Sequence, residues 1–336
     1  MQAELIVILG MGGTIAGRSI DASDNIAYTA AQVTIESLVA SIPGLGAAGQ
    51  VLAEQVEQID SKDMTFAAWR KLAQRVDYFL ARDEVQGVVI THGTDTLEET
   101  AFFLDLVCRP VKPLVLTCAM RPATALLTDG PQNLRDAVCT ARWPGASGVV
   151  VVCAGKIHAA RDVQKLHPYR LDAFDSGDAG VIGFIEEGNI RLTKNWPLNE
   201  QERAQVAIKN IASTLAAELL PDSLQWPQVE IVMNYAGASG RVVDALVASG
   251  VRGLVVAGTG NGSLHADLEQ SLLSAKAAGV QVVRASRCTY GRVLSKPGDR
   301  LPDSAGLTPV KARIALMLDL MQQDQEKTGS GHVPGA

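Results

Sequence analysis

Short apolar runs of strand length alternate with longer helix-forming stretches through the first half of the chain, and this alternation limits the fold more than any other feature. Leu5 to Leu9, Gly87 to Thr91, Leu114 to Thr117 and Gly148 to Cys153 read as strands, with helices over Met64 to Ala81, Leu97 to Cys108 and Pro131 to Trp143. Strands separated by helices predict a parallel sheet joined by right-handed crossovers. The runs are rich in Val, Leu and Ile, which suits a sheet covered by helices. Aromatic residues make up only 4% of the chain, so aliphatic side chains must build that core. Thr96-Leu97-Glu98-Glu99 has the pattern of a capping box, which starts a helix directly after Asp95. Pro131, following Asp129-Gly130, marks another helix start, because proline in a first turn gives up no helical hydrogen bond.

A second series begins near Val229. The strand VEIVM leads to a helix around Arg241 to Ala248 and then to the strand GLVVAG. Gly258-Thr259-Gly260-Asn261-Gly262 precedes a helix near Leu264 to Ala278, followed by the strand VQVVRA. Between the two series the chain is polar from Thr193 to Gln228, and Gln201 to Leu219 within it is a helix candidate. The expected class is therefore α/β. A larger N-terminal domain over 1–195 carries a parallel-type sheet flanked by helices, and a smaller C-terminal α/β domain occupies 229–328. A connecting segment spans 196–228, and the tail from Gly329 to Ala336 is expected to be disordered.

The charge balance narrows the partners. With 30 basic and 36 acidic side chains the net charge is -6, which gives no electrostatic case for binding nucleic acid or an anionic membrane. The first apolar run, LIVIL, is far shorter than a membrane span, and no basic segment or small-residue cleavage site accompanies it. The five cysteines (Cys108, Cys118, Cys139, Cys153, Cys288) are odd in number, lie in apolar stretches and show no metal-ligand spacing. Reduced thiols in a cytoplasmic protein are the expectation. A periplasmic chain from which a signal peptide had been removed is the alternative.

The chemistry gathers at two strand ends. Gly12-Gly13-Thr14-Ile15 follows the first strand, and His92-Gly93-Thr94-Asp95-Thr96 follows the strand ending at Thr91. Open α/β sheets bind ligands in the crevice at the carboxyl ends of their strands. Each loop delivers a threonine hydroxyl there, and the second adds the Asp95 carboxylate. Two hydroxyls, one carboxylate and glycine-exposed amides suit acyl transfer better than phosphate binding. The first loop has Ile15 where a dinucleotide fingerprint needs its third glycine, and it lacks the Gly-Lys-Ser/Thr ending of a phosphate loop. Taken singly, either segment also reads as a turn or a helix cap.

In order along the chain, these loops are joined by Ser61-Lys62-Asp63-Met64, Ala119-Met120-Arg121-Pro122, Asp129-Gly130-Pro131-Gln132-Asn133-Leu134 and Arg161-Asp162-Val163-Gln164-Lys165. The set resembles the bacterial-type L-asparaginase family, and the resemblance runs from the first strand to about residue 325. It implies hydrolysis of L-asparagine, with L-glutamine as a lesser or equal substrate, and neither metal nor organic cofactor. It also implies a homo-oligomer, a dimer of dimers. A non-catalytic amino-acid-binding or amidotransferase-type subunit is the reading from a different class. Through the resemblance Thr14 is the nucleophile, and Tyr28, in the small, polar stretch from Gly17 to Ala30, contacts it from a lid. The other reading of Tyr28 is an anchor for that loop. Thr94 and Lys165 form a proton relay acting on water, and Asp95 holds the substrate's α-ammonium. A solvated hairpin residue is the other reading of Lys165. A partly buried lysine beside a hydroxyl is expected to have a lowered pKa. Backbone amides near Thr14 and Thr94 form the oxyanion hole.

Ser61 matches the residue that binds the α-carboxylate, although helix capping by Ser61 or Asp63 competes with that role. Lys62 stands where periplasmic-type members have glutamine, and either attracts the carboxylate or faces solvent. Asn261 matches an asparagine that reaches a neighbouring site. The long acidic insertion of those members, with its glutamate, is replaced here by Cys288 to Leu294, so that residue has no counterpart. His92 is read as structural, ordering its loop.

Overall fold

The computed structural model describes residues 4–45, 51–197 and 225–329. The chain divides into two units, Met1–Lys209 and Asn210–Ala336. The helix candidate Gln201 to Leu219 lies outside the described residues, as does the tail from residue 330.

The first unit is built on an eight-stranded sheet in the order β12-β11-β8-β7-β6-β5-β1-β4. β1 (Leu5–Gly12) lies between β4 (Val51–Ile59) and β5 (Val85–Thr91), parallel to both. The parallel run continues through β6 (Leu114–Thr117) and β7 (Val149–Cys153). From β7 onward the pairing is antiparallel, through β8 (Lys156–Ala159), β11 (Gly183–Glu186) and β12 (Asn189–Leu192). Helices α1 (Ile35–Ser41), α2 (Phe66–Leu80), α3 (Leu97–Val107) and α4 (Gly130–Arg142) accompany the parallel strands. Ile6, Ile8, Val89, Val115, Val150 and Val152 share one aliphatic core with Leu134, Ala137 and Val138 of α4.

Two starts differ in detail from the sequence expectation. α2 begins at Phe66, and its cap is neither Ser61 nor Asp63 but Thr65, whose hydroxyl accepts from Ala68 N–H at 3.1 Å. α3 begins at Leu97 as expected, yet Thr96 makes no side-chain cap, because its hydroxyl donates to Ser61 O at 2.8 Å. The tertiary bond displaces the local one.

The second unit holds a three-stranded parallel sheet, β13 (Val229–Met233), β14 (Gly253–Gly258) and β15 (Gln281–Ser286), in that order. Its helices are α5 (Arg241–Ala248), α6 (Ala266–Ala277) and α7 (Pro309–Gly329), the last running one residue into the expected tail. Val232, Leu254, Val256, Leu268 and Leu272 pack in its own core. Among the described residues, no helix is long and apolar enough to cross a membrane. All five cysteines are free thiols, and Cys288 is exposed where an apolar setting was expected.

Candidate active site

Three neighbouring strands, β4, β1 and β5, deliver their C-terminal loops to one place, and glycine is what lets those loops touch. Gly13 has a φ of 78°, and a Cβ there would overlap the Gly93 backbone. A Cβ on Gly93 would in turn overlap the Ser61 hydroxyl. The loops after β1 and β5 therefore meet backbone to backbone, with the loop after β4 against the second. Only residues without a side chain permit that approach.

Thr14 opens a short 3-10 turn, Thr14–Ala16, immediately past Gly13, and is only 7% exposed. Its Oγ1 lies 2.7 Å from Tyr28 OH. Tyr28 is carried by a hairpin of β2 (Arg18–Ser19) and β3 (Tyr28–Thr29), in which Ser19 sits opposite Tyr28. Gly17 lies under the tyrosine ring, where a Cβ would come within 2.9 Å of Tyr28 Cδ2.

The second hydroxyl has a different partner. Lys165 Nζ donates to Thr94 Oγ1 at 2.8 Å and to Asp95 Oδ1 at 2.6 Å. Lys165 sits on β9 (Gln164–Lys165), paired with β10 (Phe174–Asp175), and its backbone N–H donates to Glu98 Oε2 at 2.9 Å. The first turn of α3 thus pins the strand that brings the lysine. The expected environment, a lysine beside a hydroxyl, lacked the carboxylate that shares it here.

Ser61 and Lys62 turn opposite ways from the 3-10 turn Ser61–Asp63. Ser61 is buried, and its Oγ accepts from Asp95 N–H at 3.1 Å. Lys62 points outward, pairing with Asp63 at 2.7 Å and Asp60 at 3.1 Å, which hold its ammonium above the usual lysine range. Asn261 lies in the second unit, exposed, and clasps Leu294 through both backbone groups, at 2.7 and 3.0 Å. The structure thus gathers Thr14 with Tyr28, and Ser61 with Thr94, Asp95 and Lys165. It does not turn Lys62 toward them. Two residues given no role from sequence also matter: Glu98, and Asp129, whose carboxylate accepts from Met120 N–H at 2.9 Å and Arg121 N–H at 3.0 Å. The signals for the latter were the Asp-Gly-Pro helix start and its place among the ordered segments.

His92 has no exposed surface and anchors the second loop from beneath. Its Nδ1 lies 2.7 Å from Gly93 O, and its Nε2 lies 3.0 Å from Thr100 Oγ1, which itself accepts from Trp69 Nε1–H at 2.8 Å. A carbonyl can only accept, so Nδ1 carries the proton and Thr100 donates to Nε2. Burial pushes this imidazole down from 6.5 to about 4. Between those values the unfolded chain binds a proton that the folded chain refuses, so stability complete above 6.5 is lost as pH falls toward 4. The loss is expected to reach up to about 3 kcal/mol. Denaturant unfolding at a series of pH values checks this: His92→Asn should lose less stability on acidification than the wild type. Equal losses would remove His92 as the cause.

Among the described residues, Gly13 N–H donates to Ile59 O at 2.9 Å, whereas the N–H groups of Thr14 and Thr94 meet no protein acceptor. The arrangement offers two hydroxyls, each bonded to a different proton-carrying side chain, beside amides available to an oxyanion.

Comparison with known proteins gives this constellation a context. Residues 5–198 match the family model "Asparaginase, N-terminal", and residues 228–330 match "Glutaminase/Asparaginase C-terminal domain". L-asparaginase 2 of Bacillus subtilis is 38% identical over 320 residues, covering 94% of this chain and 82% of that protein. A glutaminase-asparaginase of Pseudomonas fluorescens is 36% identical, covering 96% and 88%. The crystal structure of a probable cytoplasmic L-asparaginase from Campylobacter jejuni superposes with a TM-score of 0.85 at 36% identity, covering 96% of this chain and 98% of that one.

Proposed function

This chain belongs to the asparaginase family, and we propose that it hydrolyses L-asparagine to L-aspartate and ammonia through an ester on Thr14. The observation that supports this most is the pairing of two strand-end hydroxyls with two separate proton carriers, Thr14 with Tyr28 and Thr94 with Lys165. A threonine hydroxyl needs such activation to act as a nucleophile. Thr14 Oγ attacks the side-chain amide carbon and Tyr28 OH relays its proton. The oxyanion is received by the N–H groups of Thr14 and Thr94, the leaving nitrogen departs as ammonia, and a water activated by Thr94 and Lys165 cleaves the ester.

Asp95 takes the α-ammonium. Ser61 accepts from Asp95 N–H and keeps its own proton to donate to the α-carboxylate. Lys62, held by Asp60 and Asp63, is left out of that contact. Release of ammonia and aspartate from L-asparagine by the purified protein tests the whole reading. Binding of asparagine without ammonia would leave a non-catalytic subunit.

Glutaminase-asparaginases among the relatives favour a second reading, in which glutamine is a comparable substrate. One methylene is worth about 1–3 kcal/mol in a fitted pocket, so asparagine should be preferred by at least about tenfold in kcat/KM. Equal values for the two amides would decide for the second reading.

The protein is proposed to act in the cytoplasm, in line with the description of the Campylobacter structure, and as a homotetramer. The homotetramer is what the family resemblance implies, and exposed apolar side chains such as Met233, Tyr235 and Leu294 on the second unit are compatible with it. Cell fractionation tests the first statement. A fully active monomer in light scattering at assay concentration would overturn the second.

A further inference from the structure

The hairpin that carries Tyr28 is two residues deep on each side, Arg18–Ser19 against Tyr28–Thr29. A two-stranded ribbon of that size is not stable by itself in water. Residues 123–126 hold it in place. Ala123 N–H donates to Gly17 O at 3.0 Å, and Leu126 N–H donates to Ala22 O at 3.1 Å. Between these two bonds lies Thr124, whose single hydroxyl engages both backbone groups of Ser19. Its Oγ1 accepts from Ser19 N–H at 2.8 Å and donates to Ser19 O at 3.3 Å. A neighbouring strand would satisfy Ser19 with one backbone acceptor and one backbone donor. Here one side chain supplies both.

Ser19 is also the cross-strand partner of Tyr28, so the residue that Thr124 grips is the one opposite the tyrosine. The gripping segment is itself anchored. Asp129, at the start of α4, accepts from Met120 N–H and Arg121 N–H, and Arg121 Nη1 donates to Leu127 O at 2.8 Å. The path from the start of α4 to the nucleophile thus runs from Asp129 through residues 120–126, Thr124, Ser19 and Tyr28 to Thr14.

We propose that Thr124 is a positioning residue for the amide hydrolysis: its hydroxyl replaces a third strand and holds Tyr28 OH at 2.7 Å from Thr14 Oγ1. This rests on Tyr28 and Thr14 acting as proposed above. Thr124 itself touches neither hydroxyl, so its effect must pass through the hairpin. A misplacement of about 1 Å costs on the order of 100-fold in rate, and a hairpin freed at Ser19 has that latitude.

The test uses the full chain with Thr124→Val, Thr124→Ser, Tyr28→Phe and the double variant Thr124→Val/Tyr28→Phe. In Thr124→Val, kcat on L-asparagine should fall by roughly 10- to 100-fold, more than KM changes. Thr124→Ser retains the hydroxyl and should recover to within about threefold of wild type. In the Tyr28→Phe background, Thr124→Val should add less than about twofold, because the two act in series. Backbone hydrogen exchange gives a readout independent of activity. Exchange over residues 17–29 should quicken in Thr124→Val and not in Thr124→Ser. Losses that multiply in the double variant, or unchanged exchange at Ser19, would overturn the proposal. A wild type that releases no ammonia would instead sink the reading of the site, and the exchange data would still decide whether Thr124 holds the hairpin.

Discussion

Thr14→Ala should lower turnover of L-asparagine by about 1000-fold or more, since the residual rate of an enzyme without its nucleophile comes from binding and the oxyanion hole alone. The fold should survive. Thr14 lies in a loop past the end of β1, and the hydroxyl lost is bonded, among the described residues, to Tyr28 OH. Thr94→Val should act on a different step. It keeps the shape of the side chain and removes the acceptor of the Lys165 bond, a loss of about 1 kcal/mol in stability. If Thr14 is the nucleophile and Thr94 serves the water, Thr14→Ala never forms the ester, while Thr94→Val forms it and clears it slowly. Intact-protein mass spectrometry after quenching with acid separates the two: an added aspartyl group should accumulate on Thr94→Val and be absent from Thr14→Ala. Turnover within tenfold of wild type in either variant, with an unchanged melting temperature, would reject the assignment.

The parts of this site legible in the sequence are those where backbone and chemistry coincide. Gly13 and Gly93 are required because two loops touch, and each stands directly before the threonine it delivers. Their position after Val- and Ile-rich strands therefore marked the site and the parallel sheet together. β4 shows the opposite case. Its sequence, VLAEQVEQI, carries Glu54, Gln55, Glu57 and Gln58, because it forms the edge of the sheet and only Val56 in it is buried. Polar spacing conceals such a strand, and its pairing with β1 is set by tertiary contact. The same applies to the antiparallel extension through β8, β11 and β12, whose elements are four residues each. Lys165 and Thr94 are 71 residues apart, and what joins them is a two-residue strand fastened to Glu98. No local pattern encodes that closure, so only the family resemblance carried it. Ser61 and Lys62 are adjacent, yet one is buried against Asp95 and the other faces Asp60 and Asp63. A 3-10 turn makes that division, and the sequence left it open.

Lys165→Met and Asp95→Ala should fail in distinguishable ways, because the two residues are paired before substrate arrives. Lys165 Nζ sits 2.6 Å from Asp95 Oδ1, with the Asp95 side chain 52% exposed. Asp95 is the exposed half of the pair and Lys165 keeps its bond to Thr94, so a substrate ammonium can reach and take the carboxylate. Once it does, Lys165 Nζ is left with Thr94 Oγ1 as its side-chain partner. Substrate binding is thus expected to release the lysine for its part in the relay. L-asparagine can make the exchange, whereas succinamate, which lacks the α-amino group, leaves the pair closed. A charge-assisted hydrogen bond of about 1.5–3 kcal/mol predicts that the wild type favours asparagine over succinamate by roughly 10- to 100-fold. In Asp95→Ala that preference should collapse to within a few-fold, mainly through a raised KM for asparagine. In Lys165→Met, kcat should fall for both substrates by about 100-fold or more, as loss of a proton-transfer group does, with the preference between them retained. Steady-state ammonia assays on both compounds measure all of this. A preference that persists in Asp95→Ala would show that the α-ammonium is held elsewhere. A Lys165→Met enzyme within tenfold of wild type would remove the lysine from the relay.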